Sequence, residues 1–255
     1  MTTMTENIDL LAGLIAEHSR ILVFTGAGIS TASGIPDYRG PQGVWTTRQP
    51  VYYQDFMASP AARNKYWQQK SEDRGDFGSA APNPVHEAIA ALEAAGRVEM
   101  VVTQNIDGLH RAAGTSTEKL IEIHGTNTLI ECQTCRERTE PGPHFERFDA
   151  TGEAPTCHCG GFLKPATISF GQNLRSDDLQ SAFAAAELSD LVIALGSTLS
   201  VTPAADIPLQ GAMTGSPYVV INRGDTGHDR LGIISLRLGA DVGEVFPPAV
   251  AGALS

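Results

Sequence analysis

Three groups of side chains in this sequence have types and spacings suited to chemistry. Gln104, Asn105 and Asp107 follow the apolar run 98–103, and His124-Gly125 comes less than twenty residues later. The first two are carboxamides that donate and accept hydrogen bonds, Asp107 supplies an acceptor carboxylate, and an ordinary imidazole, with a pKa of about 6.5, can take a proton at neutral pH. All four cysteines form a second group, Cys132-x2-Cys135 and Cys157-x-Cys159, the pairs separated by twenty-one residues. Two close thiolate pairs suit a closed, tetrahedral zinc site with no open position for catalysis. The third group is Gly26-Ala27-Gly28-Ile29-Ser30, after the apolar run 21–24. Glycines there permit a tight turn and the approach of backbone N–H groups to a phosphate.

Each group has a plainer reading. Gly-x-Gly alone is nearly as well explained by a tight turn. The third glycine of the dehydrogenase fingerprint is replaced by Thr31, and no acidic residue about twenty positions on ends a second strand, which disfavours an ordinary dehydrogenase. Asn-x-Asp after a strand also makes common turns and helix caps. Of the other histidines, His86 and His110 read as packed, hydrogen-bonded side chains, and His18, His144 and His228 have no chemical context. His158 could replace one sulfur as a zinc ligand, although it lies between two cysteines that are better candidates.

The elements that must position these groups alternate. Ile8, Leu11, Leu14 and Ile15 share one helical face, 21–24 reads as a buried strand, and Pro84 opens a helix to about Ala95 before the strand 98–103. A helix over about 177–188 precedes the strands 191–195 and 218–221. Near-continuous apolar strands separated by helices indicate a parallel sheet covered on both faces. Ligands bind such sheets beyond the carboxyl ends of the strands, where the loops 25–40, 104–107, 196–200 and 222–224 all lie. Residues 40–83 lack strand alternation and read as a helical insertion, while 131–164, rich in Pro and Gly, form a second break.

With 255 residues the chain can hold a large domain and a small one. A net charge of −11 without a basic run disfavours nucleic-acid binding and suits basic partners such as lysine-rich peptides. No apolar run is long enough to cross a bilayer, the polar start is not a secretory signal, and clustered cysteines favour metal over disulfides, so a cytoplasmic location without membrane attachment is expected.

The string Gly26-Ala-Gly-Ile-Ser-Thr-Ala-Ser-Gly-Ile-Pro-Asp-Tyr-Arg-Gly40, followed by Thr103-Gln-Asn-Ile-Asp107, His124-Gly125 and the cysteine pairs, resembles the sirtuin family of NAD-dependent protein-lysine deacylases. The resemblance extends over nearly the whole chain. It implies an α/β fold: a Rossmann-like doubly wound parallel sheet (1–40, 84–130 and 165–255), with a small domain made of the helical insertion (41–83) and a zinc-binding module (131–164). It implies that NAD, a co-substrate, is bound by Gly26, Ala27, Gly28, Ser30, Asp37, Tyr38, Arg39 and Trp45, by Gln104, Asn105, Ile106 and Asp107, and at its far end by Gly196, Ser197, Ser200, Asn222, Arg223, Gly224 and Ala240. Tyr38 stands where the family usually has Phe. Asp107 and the Ile106 backbone would hold the nicotinamide carboxamide, and Gln104 and Asn105 the ribose and its water.

By the same resemblance an acyl-lysine peptide pairs with the segment 164–172, the Ile168 carbonyl receiving the lysine Nε–H, Phe170 lining the acyl channel and Gly171 lying beside it. Ser169 and Gln172 stand where the family often has Phe and Glu. The acyl oxygen would displace nicotinamide from the ribose, with His124 and Asn105 as the catalytic pair. His124 would deprotonate a ribose hydroxyl, which attacks the imidate carbon so formed, and water would complete the transfer to give O-acyl-ADP-ribose and free lysine. Cys132, Cys135, Cys157 and Cys159 would hold structural zinc. No Arg follows Tyr66 at the offset associated with acidic acyl groups, so neutral acyl chains are expected. ADP-ribose transfer to protein is the alternative reaction, and a non-catalytic NAD-sensing module the third reading.

Overall fold

The computed structural model describes residues 3–37, 43 and 48–255. In chain order the helices are α1 (Met4–Glu17), α2 (Tyr53–Ala58), α3 (Pro60–Ser79), α4 (Pro84–Ala94), α5 (Leu109–Ala112), α6 (Gly142–Thr151), α7 (Ser176–Leu188), α8 (Asp206–Met213) and α9 (Val242–Ala253). The strands are β1 (Ile21–Thr25), β2 (Val98–Thr103), β3 (Leu120–Glu122), β4 (Gly125–Cys132), β5 (Arg138–Thr139), β6 (Leu163–Thr167), β7 (Leu191–Leu195), β8 (Tyr218–Ile221) and β9 (Leu236–Leu238).

Six strands form one sheet in the order β3-β2-β1-β7-β8-β9, with all five pairings parallel. Counted within this sheet alone, that is the 3-2-1-4-5-6 order of a doubly wound dinucleotide fold, as expected from the sequence. Strands β1, β7 and β8 are buried at every residue because both faces are covered. On one face, Leu11 and Ile15 of α1, Ile89 and Leu92 of α4, and Val245 and Phe246 of α9 pack against Ile21, Val23 and Ile193. On the other, Ala182, Ala185 and Ala186 of α7 and Ile207 of α8 meet Leu22, Phe24 and Val192. Strand order reverses direction between β1 and β7, which opens a crevice at their carboxyl ends.

A second, antiparallel sheet orders β5-β4-β6. It draws β4 and β6 from both sides of the expected limits at 130/131 and 164/165: Gly125 pairs with Thr167, and Cys132 with Leu163. Its core is shared with the helical insertion. Trp67 of α3 is fully buried, donates from Nε1 to the Leu163 carbonyl at 2.9 Å and packs edge-on against Phe145 of α6 with centroids 5.1 Å apart. Arg63 lies 3.7 Å over the Phe162 ring. The cysteine module and the insertion therefore form one packed lobe.

Candidate active site

A cavity of about 1310 Å³ runs along the carboxyl ends of the strands. It gathers Gly26, Ala27, Gly28 and Asp37 after β1, then Gln104, Asn105, Ile106 and His124 after β2 and β3. Ile168, Phe170 and Gly171 after β6, Gly196 and Ser197 after β7, Asn222, Arg223 and Gly224 after β8, and Ala240 after β9 complete it. Loops more than two hundred residues apart in the sequence thus meet at one crevice. Ser30 and Asp107 stand behind this lining, and Ser200 lies beside it with its hydroxyl 2.9 Å from that of Thr198. Tyr38, Arg39 and Trp45 lie outside the described residues.

The glycine loop differs from the expected picture in its use of backbone donors. Gly26 N–H donates to the Leu195 carbonyl and Gly28 N–H to the Gly196 carbonyl, each at 2.9 Å. Those two donors are spent on the neighbouring strand end and are not offered to a phosphate. The glycines serve contact instead: a Cβ on Gly26 would lie 2.7 Å from Gly196 O, and one on Gly28 2.8 Å from Gly196 Cα. They let the β1 and β7 loops touch and so close the floor of the crevice.

Behind that floor runs a connected set of hydrogen bonds. Ser30 Oγ donates to Asp107 Oδ2 at 2.7 Å, and Leu109 N–H donates to Asp107 Oδ1 at 2.9 Å, so both carboxylate oxygens are fixed. Asn105 is buried; its Nδ2 donates to Ser30 Oγ (3.0 Å) and to the Gly26 carbonyl (3.2 Å), which leaves Oδ1 to accept. Gln104 Nε2 donates to Ser197 Oγ at 2.7 Å, tying the β2 loop to the β7 loop. Deeper still, His110 contacts Thr25 Oγ1 at 2.9 Å, and His86 accepts from Asn83 N–H in the cap of α4. Burial, with His86 alongside, holds the His110 imidazolium down to a pKa of about 3; burial also lowers His86, against the pull of Asp107. Both are neutral packing groups, as the sequence suggests.

His124 is half-buried between β3 and β4. Its Nδ1 is 3.0 Å from the Gln104 carbonyl, which can only accept, so Nδ1 carries the proton and Nε2 the lone pair. The next residue must be glycine: Gly125 has φ +74°, and a Cβ there would lie 2.1 Å from Ala166 O. That contact brings the β6 end against His124, whose carbonyl accepts from Ile168 N–H at 2.7 Å. Among the described residues no group donates to the Ile168 carbonyl. The insertion clamps the same segment, Tyr53 N–H donating to the Phe170 carbonyl and Gln54 Nε2 to that of Gly171, each at 2.8 Å.

The structure adds site residues that the sequence did not single out. Arg48, Lys70 and Asp73 line the cavity from the insertion, with Arg48 paired to both Asp73 and Glu72. Gln69, Lys70 and Asp73 share helical spacing on α3, the one local sign of a common face. Lys164 is buried, its Nζ donating to the Pro165 and Thr167 carbonyls. Burial lowers its pKa. Burial would raise that of Tyr66, but the Lys164 ammonium opposes it and the net shift is downward.

All four cysteine sulfurs lie within 4.8 Å of one another, with Cys132–Cys159 at 3.6 Å and Cys135–Cys157 at 3.8 Å. Zinc–sulfur bonds of about 2.3 Å in a tetrahedron require sulfurs about 3.8 Å apart, so the four fit a structural zinc ion. His158 falls outside this set and faces Glu137 at 3.2 Å.

A family model described as the Sir2 family matches residues 26–203, a span from the glycine loop to the far side of the crevice. The chain belongs to the Sir2 family. Among its relatives, the NAD-dependent protein deacetylase 1 of Bradyrhizobium diazoefficiens is 41% identical, over 97% of this chain and 96% of that protein. A solved Sir2 structure with a p53 peptide and NAD+ is 34% identical, with a TM-score of 0.85 over 97% of this chain and 99% of that one. A Sir2 variant with a deacetylated p53 peptide and 3′-O-acetyl ADP-ribose is also 34% identical, with a TM-score of 0.87 over the whole of both chains. In this sirtuin the Sir2 match thus contains the glycine loop, His124, the cysteines and the Ile168 segment, while the β8 and β9 loops that close the cavity follow it.

Proposed function

We propose that this chain is an NAD-dependent protein-lysine deacylase of deacetylase type, which consumes NAD, an acyl-lysine peptide and one water and yields nicotinamide, O-acyl-ADP-ribose and free lysine. The observation that carries the reading is that one cavity joins the glycine loop, His124 and the Ile168 segment. NAD supplies an electrophilic ribose carbon whose bond to nicotinamide breaks. The residues of the chain arrange the partners of that bond. The Ile168 carbonyl, unpaired among the described residues, receives the lysine Nε–H, since main-chain pairing places a peptide with little demand on its sequence. The Ile106 backbone holds the nicotinamide carboxamide, Asp107 behind it being fixed through both oxygens, and Asn105 Oδ1 and Gln104 face the ribose. His124 Nε2 takes the proton of a ribose hydroxyl while Nδ1 stays bonded to Gln104. Much of the rate enhancement then comes from orientation and from excluding water that would compete for the ribose.

Zinc at the four cysteines, closed to further ligands, holds the small lobe that clamps the segment 168–171. A neutral acyl chain fits the absence of an Arg one turn beyond Tyr66. No described helix is long and apolar enough to cross a membrane. Four cysteines gathered in one zinc-ligating cluster support a reducing, cytoplasmic setting.

The test is product identity. Purified protein is incubated with NAD and a panel of acyl-lysine peptides, and nicotinamide, O-acyl-ADP-ribose and peptide mass are followed by mass spectrometry. Acyl-dependent formation of equal nicotinamide and O-acyl-ADP-ribose is expected. Nicotinamide release with ADP-ribose attached to protein, and no acyl product, would overturn the reading in favour of transfer.

A further inference from the structure

Glu131 in β4 is almost fully buried, with only 4% of its side chain exposed, and three guanidinium groups converge on it. Arg136 reaches Oε1 at 2.9 Å, and Arg138 and Arg175 reach Oε2 at 2.8 and 2.7 Å. One ion pair would suffice to pin β4 to the start of α7. Three leave positive charge unbalanced at this point of a chain whose net charge is −11. The outermost cation is held there at a cost. Arg136 has φ +64°, a left-handed conformation that disfavours residues with a Cβ, yet its side chain is 51% exposed and, among the described residues, keeps one carboxylate contact.

Arg136 and Arg175 line a second cavity, of about 420 Å³, with Gln172 and Asn173 adding neutral amides and Asp177 the one acidic group of the lining. Arg175 Nε is buried and has no hydrogen-bond partner among the described residues. The second cavity shares Ile168, Gln172, Asn173 and Leu174 with the large one, so the segment that would pair with the substrate is the wall between them.

We propose that this cavity is a specificity subsite for the substrate chain, receiving an Asp or Glu side chain close in sequence to the acyl-lysine. A guanidinium offers a carboxylate two parallel N–H donors, and Arg136 can turn outward because Glu131 keeps its other two partners. The two cavities share Ile168, which keeps the acidic residue near the lysine, and an extended peptide advances about 3.3 Å per residue, so about three positions on either side cover the shared wall. The overall acidic surface repels acidic peptides from afar, so the selection is local and depends on position. The inference rests on the peptide-pairing reading of residues 168–171.

The experiment is equilibrium binding of fluorescein-labelled acetyl-lysine peptides by anisotropy, scanning Glu against Gln at positions −3 to +3, with kcat/KM measured on the same peptides. Binding does not require turnover, so failure of the deacylase reading would show as unchanged binding with no acyl product. At one or two positions Glu should bind about three- to fivefold more tightly than Gln, the size expected of a half-exposed ion pair. The ratio should fall to about one in Arg136→Gln and remain in Arg136→Lys, and 0.5 M salt should reduce it. The Gln-peptide series should bind Arg136→Gln as it binds the parent, which separates loss of the subsite from damage to the fold. Equal binding of Glu and Gln at every position, or a preference that survives Arg136→Gln, would overturn the proposal.

Discussion

Replacing Gly28 by alanine would put a Cβ 2.8 Å from both Cα and O of Gly196, backbone atoms that cannot rotate away. Restoring ordinary contact requires the two loops to part by about half an ångström. The 2.9 Å bond from Gly28 N–H to Gly196 O would then stretch beyond hydrogen-bond range. Overpacking of this kind costs about 1–3 kcal/mol and the lost bond about 1 kcal/mol, while alanine recovers about 0.4–1 kcal/mol through the unfolded chain. A net loss of about 1–3 kcal/mol should lower Tm by about 3–10 °C in a chain of this size. Because the same contact closes the floor of the crevice, KM for NAD should rise while KM for the peptide stays near its starting value. Gly13 in α1 is the control. A Cβ there meets nothing within 4 Å, so Gly13→Ala should stabilise by about 0.5–1 kcal/mol and leave both KM values alone. Thermal melts and NAD titrations of the two variants decide the matter. An unchanged Tm in Gly28→Ala would refute the contact argument, and a raised NAD KM without any loss of Tm would return the glycines to a phosphate role.

Three further outcomes follow from the same geometry. Cys135→Ala should release zinc, counted by a metallochromic indicator, and raise KM for the peptide by loosening the lobe that clamps Phe170 and Gly171; a zinc-free variant with unchanged kinetics would contradict the structural role. Trp67→Phe removes the donor to Leu163 and part of a fully buried side chain, and should cost about 2–4 kcal/mol by urea denaturation. On the acid side, His110 is held neutral down to about 3, and burial lowers His86 and His228 as well. In the unfolded chain they protonate below about 6.5, so their contribution is fully present above that pH and is lost as the pH falls from there towards 3, His110 alone accounting for a slope of up to about 1.4 kcal/mol per pH unit. Urea melts between pH 7.5 and 5 should show this decline, and a flat profile would contradict the buried, neutral state.

Much of the fold was legible because its signals are local. Strands buried on both faces read as unbroken apolar runs, and Asn83-Pro84 announces α4 by its cap. The crevice was legible for the same reason: its loops follow strands one after another in the sequence. What escaped depends on contacts between distant segments. That Gly26 and Gly28 answer to Gly196 cannot be read from the loop itself. Strands β4 and β6 pair across the cysteine module, so the small sheet ignores boundaries drawn from composition. Arg48 meets Asp73, and Glu131 collects three arginines, through pairings that no periodicity encodes. His124 was found through its setting; the bond from Nδ1 to Gln104, which decides which nitrogen takes the proton, needed the structure.

The central claim is that His124 acts after the bond to nicotinamide has opened, and its most direct test uses His124→Ala with NAD, an acetyl-lysine peptide and isotopically labelled nicotinamide. Label exchange into NAD reports bond opening and closing, and free lysine reports the later proton transfer. Exchange should persist near the parent rate while lysine formation falls by about 10²-fold or more, as loss of a general base implies. Deacylation that survives, or exchange that collapses in proportion with it, would contradict the role assigned to His124.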